Sequence, residues 1–149
     1  MPKRFAFRLD RLLQLRRMRE ELKKRELAAA NRAVARQQQE ILQLFVDEEE
    51  TKTELRGLKT RTLDLVAIRL REHYLNVLNR RIGEAYRGLQ DLQSKVAEKR
   101  KELVEAMQGV RVLERLRERK RAEYDLEVSR EEQKFLDEVG SRMTREEAS

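Results

Sequence analysis

No cysteine and no tryptophan occur in this chain of 149 residues; proline appears once, at Pro2, and glycine five times. Without cysteine, disulfide stapling and thiolate chemistry are excluded, which fits a reducing compartment. Beyond Pro2 no residue withholds a backbone donor, so nothing forces a helix to break. Four Phe and three Tyr are the only aromatics, and mean hydropathy is −0.87, too little bulky apolar surface for an ordinary compact core. No apolar run approaches the roughly 18 residues of a membrane span, and the first residues lack a signal-peptide apolar stretch. The chain therefore reads as cytoplasmic. The single histidine, His73, has no second His or Cys with which to hold a metal. The scattered glycines build no phosphate-cradling loop, and Asp47-Glu48-Glu49-Glu50 lacks the alternating ligands of a calcium loop. A thin pair of helices also offers no pocket from which water is excluded. No catalytic residue, cofactor, metal or small-molecule substrate is expected, and the chain is not read as an enzyme.

What is present is charge and helical period. Charged residues make up 42% of the chain, the composition of long helices and coiled coils. The net charge of +7 is unevenly spread: residues 1–36 hold 12 basic and 4 acidic groups, whereas residues 37–54 hold 1 and 6. A basic end suits nucleic acid, an anionic membrane surface or an acidic protein partner; it equally suits a solvated helix face whose Arg stems cover apolar neighbours.

From residue 75 the positions Leu75, Leu78, Ile82, Ala85, Leu89, Leu92, Val96, Lys99, Leu103, Ala106, Val110 and Leu113 alternate steps of three and four. All but Lys99 are apolar, which marks a coiled-coil seam rather than the wider stripe of a globular helix. The pattern then slips through Leu116, Tyr124, Val128, Phe135 and Val139. Gly83, Gly88 and Gly109 fall off the seam. A second register runs through Leu27, Ala30, Val34, Gln37, Ile41, Leu44, Glu48, Thr51, Leu55 and Leu58, and upstream Phe5, Leu9, Leu12, Leu15 and Leu22 share a broader face. Between the registers, residues 57–64 are weak in pattern, and Thr62 or Asp64 can cap a new helix.

The expected fold is all-α, a single elongated domain over 1–149 that forms a long antiparallel two-helix coiled-coil hairpin. Helix 1 covers about residues 5–58, the turn about 57–64, with room for a short helix to 71, and helix 2 about 72–140; residues 141–149 are expected to fray. Off the seam, Leu42, Phe45 and Val46 share one surface of the first helix, and Tyr74 and Val77 lie off the seam of the second. A hairpin turning near residues 60–64 brings these groups to one height as an apolar patch, either a partner site or a surface covered by residues 63–70.

Three readings of the basic end stay open on the residues alone. Arg16, Arg17 and Arg19 with Lys23, Lys24 and Arg25 can track phosphates, although Glu20, Glu21 and Glu26 interrupt them and no aromatics interleave. Phe5, Phe7, Leu9, Leu12, Leu13 and Leu15 among many Arg give the pattern of an interfacial amphipathic helix, and packing against the second helix accounts for them equally well. A generic dimeric coiled-coil scaffold is the third.

Both ends of the chain resemble the FliJ family, coiled-coil proteins of the bacterial flagellar type III export apparatus. The resemblance is carried by Phe5-x-Phe7-Arg8-Leu9-x-x-Leu12-Leu13-x-Leu15-Arg16 and by the charged block Arg130-Glu131-Glu132-Gln133-Lys134-x-Leu136-Asp137-Glu138. It implies a hairpin similar to the stalk subunit of rotary ATPases, monomeric by itself. Its implied partners are the flagellar export ATPase ring, the membrane export gate and export chaperones, with no nucleic acid. It also implies peripheral association with the inner face of the cell membrane at the flagellar base. On that reading Phe7, Leu12, Leu13, Arg16, Arg17 and Arg19 are the candidates for ring contact. Leu42, Phe45, Val46, Tyr74 and Val77 are the candidates for the gate.

Overall fold

The structure, a computed structural model, describes residues 3–61 and 64–148. These form two helices, α1 (Asp10–Arg61, 52 residues) and α2 (Leu65–Ala148, 84 residues), with no strand among the described residues. The helices pack against each other as an antiparallel coiled-coil hairpin. Cross-helix partners show the sense: Glu26 meets Lys99, Gln37 meets Ala85 and Glu54 meets Arg71, α2 numbers falling as α1 numbers rise.

Helix boundaries follow from local chemistry. Asp64 caps α2, its Oδ1 accepting from the amides of Val66 at 3.2 Å and Ala67 at 3.3 Å. Thr62, the other expected cap, lies outside the described residues. α1 continues through residues 57–61, where Thr60 bonds back to the Gly57 carbonyl at 3.0 Å. Residues 65–71 are the opening turns of α2, so the second helix starts at Leu65 rather than near 72. Residues 141–148 stay helical where fraying was expected; Thr144 bonds the Gly140 carbonyl there at 2.9 Å.

At the other end α1 starts at Asp10, not at residue 5. Residues 3–7 lie outside the helix, and the Asp10 amide donates to the Phe7 carbonyl at 3.1 Å to close the turn into it. Asp10 then places a carboxylate in the first helical turn, the favourable end of the helix dipole.

The packing resolves into two compact units, one of residues 1–21 with 105–149 and the other of residues 22–104. In the 22–104 unit the buried positions are Ile41, Thr51, Leu55, Leu78, Ile82 and Val96, all on the two expected registers. Leu27, Val34, Leu44, Leu58, Leu75, Leu89, Leu92 and Leu103 are half-buried beside them. Thr51 hides its hydroxyl by donating to the Asp47 carbonyl at 2.7 Å, so this polar seam residue leaves no unmet donor.

In the other unit Leu13, Val110 and Leu113 form the core, with Leu9 packed against them. Here the structure corrects the sequence reading of α1. Leu12 and Leu15 do not face the seam; they are 38% and 62% exposed, whereas Leu13 is 0% exposed. Leu22, in the 22–104 unit, is exposed as well. The buried side of α1 passes instead through Arg16, Glu20 and Lys23, all half-buried. Long aliphatic stems let such residues fill a seam while their heads find partners.

One glycine also proves to be a packing residue. A Cβ at Gly88 would stand 3.1 Å from Gln37 Nε2, so this glycine makes room for a long polar side chain from α1, whereas one at Gly109 would meet Arg16 Nη1 at an ordinary 3.6 Å. Gly83 faces open space, as its off-seam position implies.

Candidate partner-binding surfaces

The amino-terminal surface is built on an extended arm and a basic helix. Phe5 packs its ring on Tyr124 with centroids 5.6 Å apart, and the guanidinium carbons of Arg121 and Arg117 lie 5.1 and 5.7 Å from the Phe5 centroid. The Tyr124 hydroxyl donates to the Lys3 carbonyl, tying the arm to α2. Such cation–ring contacts at partly exposed sites are each worth about 0.5–1 kcal/mol, enough to orient the arm. Beside it runs an open groove of about 820 Å³, lined by Phe5, Phe7, Leu116, Lys120, Tyr124 and Val128 among others.

The expected ring-contact residues part company here. Leu13 is in the core and has no surface to offer. Phe7 is half-buried in the arm. Arg16 donates from Nη1 to the Gly109 carbonyl at 3.1 Å, and Arg17 pairs with Glu114 at 3.2 Å. Leu12 and Arg19 remain exposed. Along α2 of the same unit, Phe135, Leu136 and Met143 are exposed apolar side chains.

In the 22–104 unit, Leu42, Phe45, Val46 and Tyr74 are all exposed and Val77 is half-buried. The aromatic partner of Phe45 is Tyr86, edge-on with centroids 6.3 Å apart. Tyr86 was missed from sequence, although it is a further off-seam aromatic, one position past the seam residue Ala85. Residues 65–70 do not cover this patch: they are helical, with Leu65, Val66 and Leu70 exposed, and Leu63 lies outside the described residues.

The seam of this unit carries a four-membered charge cluster. Lys23 Nζ lies 3.1 Å from Glu102 and 3.2 Å from Glu26, while Lys99 Nζ lies 3.2 Å from Glu26 and 3.4 Å from Glu102. Hydrogen bonding from Lys23 holds the Glu26 and Glu102 carboxyls below their ordinary range. The Lys23 ammonium is raised by its bonds to Glu102 and Glu26, and that of Lys99 by its bond to Glu26. Lys99, the one polar position in the α2 register, is thus accounted for. Ionic layers of this kind specify partner and register more than they stabilise.

Among the described residues no group of His, Asp and Glu is placed to hold a metal, and His73 is exposed. No helix there is long and apolar enough to cross a membrane. Fold and surfaces together define an antiparallel two-helix coiled coil with exposed apolar patches set in a strongly charged surface. No curated protein and no solved structure matches the chain. A family model, that of the flagellar FliJ protein, matches residues 5–149, and the chain belongs to that family. It is a flagellar export-related protein, of a family of structural export components at the bacterial flagellar base.

Proposed function

We propose that this chain couples the export ATPase ring to the membrane export gate and helps hand over substrate–chaperone complexes, working at the inner face of the membrane. The observation that carries the reading is family membership across residues 5–149 combined with an antiparallel hairpin that leaves separate surfaces free for partners. The ring reading falls on the 1–21 and 105–149 unit. Its exposed arginines steer association, and Leu12 and Arg19 are the members of the candidate set with free surface. Arg17, paired with exposed Glu114, is available by exchanging that partner.

The gate reading falls on Leu42, Phe45, Val46, Tyr74 and Val77, to which Tyr86 is now added. The Phe45–Tyr86 ring pair, exposed on so charged a chain, suits a partner whose own surface buries it. The test is ATPase turnover by the cognate export ATPase with and without the chain, beside capture of the gate's cytoplasmic part. Saturable stimulation supports the reading. Absence of stimulation by a folded chain, with DNA binding that falls steeply as salt rises, favours the nucleic-acid alternative instead.

A further inference from the structure

We infer that the outward face of α1 around Leu15 docks on an anionic lipid surface. Leu13, fully buried on Val110 and Leu113, fixes which side of the helix faces α2. At about 100° per residue, Leu15 stands nearly opposite. Leu12, Leu15 and Met18, spaced three apart, are 38%, 62% and 67% exposed. Arg11 and Arg19, one turn before and one turn after Leu15, are exposed on the same side.

Between Leu12 and Met18 that face holds no carboxylate; Glu21, one turn beyond Met18, bounds it, while Asp10 is directed to Arg117, with Nε 3.7 Å from Oδ1, and Glu20 is half-buried toward the seam side. The arc itself carries leucine, methionine and arginine, which suits an anionic partner. The face belongs to a single helix turned outward. A protein partner would need its own groove to take these side chains. A bilayer interface accepts them directly: the apolar tips enter the acyl boundary, while the guanidinium groups bond lipid phosphates and keep their stems against the chain.

This docking rests on the membrane-face reading proposed above and shares Leu12 and Arg19 with the ring set, whereas Leu15, Met18 and Arg11 belong to the lipid face alone. The experiment is co-sedimentation of the full chain at low ionic strength with phosphatidylcholine vesicles, with or without phosphatidylglycerol. Sedimentation with the phosphatidylglycerol vesicles, declining as salt is added, is the expected result. L15Q combined with M18Q lowers partition about tenfold while helicity by circular dichroism is unchanged, because both side chains already face solvent. L126Q, which removes an exposed leucine from α2, partitions like the parent. Failure to sediment with anionic vesicles, equal binding to neutral ones, or full binding by the double variant overturns the inference. ATPase stimulation by the same samples is read separately, so a failed ring reading and a failed lipid reading are told apart.

Discussion

Gln37 reaches across the seam of the hairpin and donates from Nε2 to the main-chain carbonyl of Ala85 at 2.9 Å, in space that Gly88 leaves open. In the other unit Arg16 likewise donates to the Gly109 carbonyl, although a Cβ at Gly109 would meet it at an ordinary 3.6 Å. Both are long polar donors of α1 that reach a main-chain carbonyl of α2. At Gly88 the helix-weakening cost of glycine is offset by a packing role.

Alanine at Gly83 and at Gly88 should separate these effects. G83A meets open space and should stabilise by about 1 kcal/mol through helix propensity. G88A brings a methyl 3.1 Å from Gln37 Nε2, so the same gain is reduced by displacing that amide. Thermal melts that rise more for G83A than for G88A are the expected outcome; equal rises would remove the packing role.

Leu12 and Leu13 are neighbours with opposite fates. L13A empties a fully buried site and should cost about 2–5 kcal/mol, whereas L12A should stay within about 1 kcal/mol. Denaturant titration of the two variants checks this, and a larger loss for L12A would restore the face expected from sequence.

That contrast shows where sequence was legible. The α2 register from Leu75 to Leu113 was read directly, because all but one of its positions are apolar and nothing competes for the pattern. The stretch of α1 around Arg16, Glu20 and Lys23 was not, because charged side chains occupy the seam while Leu12, Leu15 and Leu22 stand outside it. Counting apolar residues there selects the wrong face. The start of α1 lies at Asp10 rather than residue 5, with Phe5 held outside the helix against Tyr124, Arg117 and Arg121 of α2, contacts that depend on the pairing of the helices. At the turn, Gly57 and Thr60 read as breakers although α1 tolerates both. Of the candidate patch, Leu42, Phe45 and Val46 were legible as off-seam residues. The Phe45–Tyr86 contact was not, since it depends on the pairing of the two helices.

The charge cluster makes stability depend on pH in two separate windows. Glu26 and Glu102 titrate below their ordinary 4.5, so their share is complete above that pH and is lost as pH falls through the lowered values. Lys23 and Lys99 titrate above their ordinary 10.5, so their share is complete below it and is lost as pH rises through the raised values. E102Q should melt below the parent at neutral pH, with the gap narrowing under acid. A gap that persists unchanged at low pH would show that shape, not charge, matters at this position.

The aromatic patch gives a prediction about partners rather than stability. F45A combined with Y86A removes two exposed rings that contact each other at the surface, so helicity should hold. Gate capture should weaken about tenfold or more, as for hot-spot aromatics. A double variant that unfolds would make these rings part of the core.

The most direct test of the coupling reading is the turnover of the cognate export ATPase titrated with this chain. The predicted result is saturable stimulation that F45A with Y86A retains in full, because those residues serve a different partner. Turnover that stays flat across the titration, with the chain folded by circular dichroism, would contradict it.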